Sequence, residues 1–188
     1  MAVKIPIEVS ARHIHLCQKD LDLLFGKGYE LKKFKDLIQP GDFAAKETLT
    51  IRSGDRKFDN VRIVGPAREK TQIELSLTDA FYLKLNPPIR ISGDIKGSES
   101  VVLIGPGSEV KLKEGVIISQ RHIHCSKKEA EKLKLKNGMA VSVKIEGKRS
   151  VVFNNVKIRT GDYKLSMHID TDEGNAAGMD KIGKGIII

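Results

Sequence analysis

With 188 residues, 40 % of them hydrophobic, the chain is long enough to bury a core as one large domain or two small ones. It shows no apolar run of about 20 residues, no charged-apolar-small leader and only two cysteines, which argues against a membrane span, a secretory signal and a disulfide framework; a cytoplasmic protein is expected. The formal charge of +9 suits an anionic partner, but the lysines and arginines are scattered and aromatics make up only 5 %. A nucleic-acid platform is therefore not expected, whereas a small polyanion such as a nucleotide-bearing coenzyme fits.

Along the chain, short β-branched or alternating runs dominate. A strand over residues 5–10 is followed by a short helix over 20–25, which stops at Gly26-Lys27-Gly28. Strand-like runs at 47–51, 61–64 and 72–76 are separated by turn residues such as Gln39-Pro40-Gly41-Asp42 and Ser53-Gly54-Asp55. A helix over 78–85 ends before Pro87-Pro88, and strands at 89–92, 101–104 and 116–119 come next. Residues 96–115 read as a structured connector. A helix over 126–133 fades at Asn137-Gly138, and strands at 140–145, 150–153 and 164–168 complete the set. Many short strands with regular turns predict a mainly β protein built as sandwiches or barrels.

All five histidines belong to one pattern. Ser10-Ala11-Arg12-His13-Ile14-His15 recurs as Ser119-Gln120-Arg121-His122-Ile123-His124, and the fifth is His168. Alternate residues of a strand face the same way, so each His-x-His presents two imidazoles to one side. The neighbourhoods repeat too: each motif follows a β-branched run and precedes a helix, and Phe58-Asp59-Asn60-Val61 is echoed by Phe153-Asn154-Asn155-Val156. The chain thus reads as an internal duplication, with repeat 1 over about 1–100 and repeat 2 over about 101–188. With a one-residue slip, Glu74 corresponds to His168. Two ligand triads follow, His13, His15 and Glu74, and His122, His124 and His168. Three N/O ligands with an open position is how catalytic zinc is held.

Cys17 aligns with Ser126, the expected N-cap of the helix whose Glu129 completes a capping box, and Cys125 follows the second His-x-His directly. Both read as helix-start or core residues rather than ligands.

The ordered set Val9-Ser10-x-Arg12-His13-x-His15-Leu16, Gln39-Pro40-Gly41, Gly65-Pro66-x-Arg68-x-x-Thr71-Gln72-x-Glu74-x-Ser76-x-Thr78-Asp79, Ser92-Gly93-Asp94, Arg121-His122-x-His124 and His168-x-Asp170-Thr171-Asp172-Glu173-x-Asn175-Ala176-Ala177 resembles the PduL-type phosphate propanoyltransferases. The resemblance spans about residues 5–178. It implies two closely associated small β-barrels capped by short α-helices. It also implies that the barrels interlock, with the N-terminal strand (about 5–11) joining the barrel of the C-terminal half (about 115–188) and residues 38–112 forming the other. The implied reaction converts a short-chain acyl-CoA, propanoyl-CoA or acetyl-CoA, plus phosphate into acyl phosphate plus CoA. The implied cofactors are two zinc ions, held by the two triads already named, and the implied setting is propanediol degradation. Arg68 falls on the family's phosphate-binding arginine, whose forked guanidinium suits a phosphate dianion in a way a lysine does not. Cys17 departs from the family's usual serine. Only Met1 to Lys4 precede the first strand, where microcompartment members carry an amphipathic extension, so encapsulation by that route is not expected.

No Gly-x-Ser-x-Gly elbow occurs and neither cysteine has a base partner free of metal duty, which favours direct attack by phosphate at a di-zinc site over a covalent acyl-enzyme. The competing readings are a dinuclear zinc hydrolase and a non-enzymatic metal-binding β module. The expected partners are acyl-CoA, CoA, phosphate and acyl phosphate, with a homo-oligomer open and neither nucleic acid nor membrane.

Overall fold

A computed structural model describes residues 3–188. In chain order the elements are β1 (Val3–Ser10), β2 (His13–His15), α1 (Gln18–Phe25), β3 (Lys33–Asp36), β4 (Phe43–Ser53), β5 (Arg56–Gly65), β6 (Gln72–Leu75), α2 (Leu77–Tyr82), β7 (Ile89–Arg90), β8 (Glu99–Ile104), β9 (Glu109–Ser119), β10 (His122–Cys125), α3 (Lys127–Leu133), β11 (Ala140–Ile145), β12 (Val151–Thr160), β13 (Ser166–Asp170), α4 (Thr171–Ala176) and β14 (Ile182–Ile187). Strands predominate and the helices are short, as the pattern of β-branched runs predicts. No described helix is long and apolar enough to cross a membrane.

The chain divides into two compact units, each a six-stranded barrel. One unit comprises residues 3–11, 38–40 and 120–188, and its barrel closes in the order β1-β13-β10-β12-β11-β14, with β14 returning to β1. The other comprises residues 12–37 and 41–119. Its ring runs β4-β5-β2-β6-β9-β8 and closes because β8 pairs with both β4 and β9, while β3 and β7 lie off the ring.

The two rings have the same wiring. Each His-x-His strand, β2 or β10, sits between a parallel partner (β5 or β12) and an antiparallel one (β6 or β13). The strand just before each motif belongs to the other ring: β1 pairs in parallel with β13, and β9 pairs in parallel with β6. Residues 96–115, expected to be a structured connector with a strand over 101–104, carry β8 and the start of β9. These two strands form an antiparallel pair turned at Gly105 and Ser108.

Strand alternation separates core from site. Ile14 and Ile123 are fully buried in their respective barrel cores, so the flanking histidines point to the opposite face of the sheet. The repeated Phe-x-Asn-Val segments have a shared backbone role. Asn60 and Asn155 adopt φ of 59° and 58°, each at a bulge where two residues of the strand face one on its neighbour. Asparagine tolerates that left-handed conformation better than most side chains, and the bulge bends the strand around the barrel.

The preceding arginines repeat as well. Arg12 donates to Asp79 and packs over the Phe58 ring at 4.3 Å, and Arg121 donates to Glu173 and packs over the Phe153 ring at 5.3 Å. Asp79 and Glu173 are also the third residues of α2 and α4, whose capping boxes they complete with Ser76 and Asp170.

Candidate metal centres

His13, His15 and Glu74 converge in one unit, and His122, His124 and His168 converge in the other, each set with ligand atoms within 4.8 Å of one another. The register explains both. Glu74 lies directly across from His13 on the antiparallel neighbour, and His168 lies directly across from His122. The side chains of such a pair share a face.

In the first set, His15 Nδ1 donates to the Val64 carbonyl at 3.1 Å, which leaves Nε2 bare. That Nε2 stands 3.2 Å from His13 Nε2, and the Glu74 oxygens lie 3.7 Å from His13 Nε2 and 3.8 Å from His15 Nε2. Zinc bonds of about 2.0–2.1 Å at a tetrahedral angle separate neighbouring ligand atoms by roughly 3.3 Å, so this triangle fits such a cation with small adjustments. The electrostatics agree. Burial, reinforced by the charges of His13 and Arg68, holds His15 well below the usual imidazole range, so it is a neutral donor at physiological pH. Burial alone would raise Glu74, but His13, His15 and the hydroxyls of Ser92 and Ser119 outweigh it and keep the carboxylate charged. Gln72 Nε2 further donates to Glu74 Oε1 at 2.7 Å.

Arg68 belongs to the same unit. Its backbone N–H donates to the Leu16 carbonyl at 2.8 Å, which fixes it beside the strand carrying His13 and His15. Its Nη1 donates to Ser92 Oγ at 3.2 Å, and the same oxygen accepts from Gln72 Nε2 at 2.8 Å. Arg68 is therefore joined through Ser92 and Gln72 to Glu74. Asp42 shares this field: burial raises its carboxyl above the usual range, against the pull of Arg68 and His13.

In the second set, His122 Nδ1 donates to the Gln120 carbonyl at 2.8 Å, so Nε2 is the nitrogen placed to ligate a metal. The His122 and His168 rings stack with centroids 5.3 Å apart and planes 5° from parallel, and His124 meets both edge-on at 4.5 and 4.9 Å. Tyr163 stacks on His124 at 4.1 Å. Gln39 is buried here: its amide donates to the Lys164 carbonyl and to Ser166 Oγ and accepts from Lys164 N–H, while Ser166 Oγ lies 3.0 Å from His168 Nε2. On the opposite edge of the ring, His168 Nδ1 is 3.6 Å from Glu8 Oε2.

The internal repeat points to the six converging side chains, and the family resemblance adds Arg68. Gln39, Ser166, Tyr163, Glu8, Asp42 and the Ser92–Gln72 link are not signalled that way, because their parts follow from register. Cys17 and Cys125 join neither set.

Residues 6–180 match the phosphate propanoyltransferase family. The chain belongs to that family. Among curated phosphate propanoyltransferases, the protein of Thermotoga maritima is 49 % identical over 173 residues, which cover 91 % of this chain and 82 % of the relative. That of Lachnoclostridium phytofermentans is 51 % identical, covering 92 % and 82 %, and that of Salmonella typhimurium is 47 % identical, covering 94 % and 84 %. As a member of the phosphate propanoyltransferase family, the chain is an acyltransferase enzyme acting with phosphate.

Proposed function

We propose that the protein interconverts short-chain acyl-CoA, propanoyl-CoA or acetyl-CoA, plus phosphate with acyl phosphate plus CoA, by direct attack of phosphate and with one zinc ion held in each triad. The observation that carries this reading is the linkage of Arg68 to Glu74 through Ser92 and Gln72, which couples a forked phosphate ligand to a three-donor metal set within one unit.

Zinc when bound supplies Lewis acidity toward a carbonyl or thiolate. The chain's own groups do the rest. The guanidinium of Arg68 binds two phosphate oxygens and orients a third toward the thioester carbonyl. A bond forms between that oxygen and the carbonyl carbon, the carbon–sulfur bond breaks, and the electron pair leaves on the CoA sulfur. The Ser92 hydroxyl holds Arg68 in register with the triad. Low-lying protonation of His15 and Glu74 keeps both as electron-pair donors at neutral pH. No side chain becomes acylated.

The test measures CoA release from acetyl-, propanoyl- and butanoyl-CoA with and without phosphate. Release that requires phosphate and yields acyl phosphate supports the reading. Phosphate-independent release would show a hydrolase instead, and no release from a metal-replete protein would remove the enzyme reading.

A further inference from the structure

The two triads differ at one ligand, Glu74 in one ring and His168 in the other, at matching places opposite the first histidine of each pair. The strand on the other side of that place differs as well. β1 sets Glu8 beside His168 in parallel register, whereas β9 sets Ile117, fully buried, beside Glu74. The ring with an imidazole ligand has a carboxylate next to it, and the ring with a carboxylate ligand has a hydrocarbon. On these paired strands each centre has one acidic side chain: Glu74 among the ligands of the first, Glu8 just behind the ligands of the second.

Hydrogen bonding around His168 sets its tautomer. The Gln39 amide is oriented by its paired bonds to Lys164 N–H and C=O, so the Gln39 N–H group faces Ser166 Oγ at 2.7 Å and His168 Nε2 at 3.4 Å. Ser166 Oγ accepts from Gln39, and its own proton is then available to His168 Nε2 at 3.0 Å. With Nε2 accepting from Ser166, the ring proton goes to Nδ1, the nitrogen that faces Glu8 Oε2 at 3.6 Å.

We propose that Glu8 is the positioning residue of the second centre: it accepts the Nδ1 proton of His168 and so presents Nε2 to the metal. This rests on the reading that the triad of His122, His124 and His168 holds zinc. A cation on Nε2 makes the Nδ1–H a stronger donor, which closes the 3.6 Å gap to hydrogen-bond length. A carboxylate in that outer position fixes ring orientation and raises ligand basicity. Glu74 is already an anionic ligand held by Gln72, and a second carboxylate in place of Ile117 would repel it.

The test titrates zinc against a chromophoric chelator in the full-length protein, with a His15→Ala background to isolate the second centre, and records nitrogen-15 histidine spectra of the zinc-loaded wild type. Expected are two zinc ions in wild type, a His168 spectrum with Nδ1 protonated and Nε2 ligated, and a roughly 10- to 100-fold weaker second centre in Glu8→Leu with the first unchanged. Glu8→Gln, whose amide oxygen still accepts, recovers most of the affinity. Unchanged affinity of the second centre in folded Glu8→Leu overturns the proposal. So does a wild-type spectrum in which Nδ1 is the ligating atom, a result that needs no variant. Failure of wild type to take a second zinc ion would overturn the metal reading itself and this inference with it, and is distinct from a second ion that binds indifferently to Glu8.

Discussion

Arg121 donates to Glu173 at 2.7 Å, yet the Glu173 carboxyl is pushed up to about 7, because burial and the neighbouring Asp170 carboxylate outweigh the ion pair. Its counterpart Arg12 grips a single Asp79 oxygen through both Nε and Nη2, at 3.0 and 2.6 Å. The folded chain therefore holds a proton on Glu173 that the unfolded chain releases near pH 4.3, so this group lowers stability as pH rises from about 4.5 to 7, by up to about 3 kcal/mol, and the loss persists above that window. Glu173→Gln keeps a capping-box side chain and removes the titration. Urea unfolding at pH 5 and pH 8 should show the variant losing less stability over the interval than wild type, by about 1–3 kcal/mol. Equal losses in the two proteins would mean that the proton is not held on Glu173.

Arg68→Lys exchanges a forked donor for a point charge while leaving the acyl-CoA side untouched. The kcat/KM for phosphate should fall roughly 10- to 100-fold, about 1.4–2.7 kcal/mol, with little change in the constant for acyl-CoA. Steady-state kinetics with each substrate varied in turn checks this; parallel losses for both would remove Arg68 from phosphate binding.

Elemental analysis of the purified protein should give two zinc equivalents per chain, and His15→Ala should give one. Because a bound metal stabilises the folded state by mass action, chelation should lower the melting temperature and added zinc should restore it. A stoichiometry of one or zero in active wild-type protein contradicts the two-centre reading.

The two cysteines should respond differently. The Cys17 side chain makes no cap bond to α1; its Sγ lies 3.4 Å from Thr71 Oγ1, which accepts from the Cys17 N–H at 3.0 Å, whereas Ser126 makes a full capping box on α3. Cys17→Ser should stabilise by about 0.5–1 kcal/mol. Cys125 is fully buried in its barrel core, and Cys125→Ser sets a hydroxyl there at a cost of about 1–3 kcal/mol. Under the proposed direct attack by phosphate neither should change kcat; thermal melts and initial rates measure both effects.

The barrel architecture is visible in the β-branched runs because those runs line the cores, and the strand over 140–145 is read at its observed bounds. β3, with sequence Lys-Phe-Lys-Asp and every residue exposed, has no buried face to leave a pattern. β14 alternates glycine with larger residues, and Gly185 is needed because a Cβ there would strike Val143 and Ile7. α4 is six residues long and contains Gly174, so its helicity comes from the Asp170–Glu173 capping box rather than from propensity. The same division holds at the centres. Histidine pairs are conspicuous as residue types, but Glu8 is one charged residue among many until β1 is seen beside β13.

Because β1 pairs with β14 over six residues, a strand made earlier waits for one that lies about 175 residues further along the chain. At about 5–20 residues per second the delay is roughly 10–35 s, during which β1 carries unpaired backbone groups. Its sequence, Val-Lys-Ile-Pro-Ile-Glu-Val-Ser, suits that wait: Lys4 and Glu8 add charge, and Pro6 withholds a donor, so the nascent strand is a poor template for pairing with another chain. Replacing these three residues with β-branched ones would shift the burden onto chaperones long before it altered the finished fold.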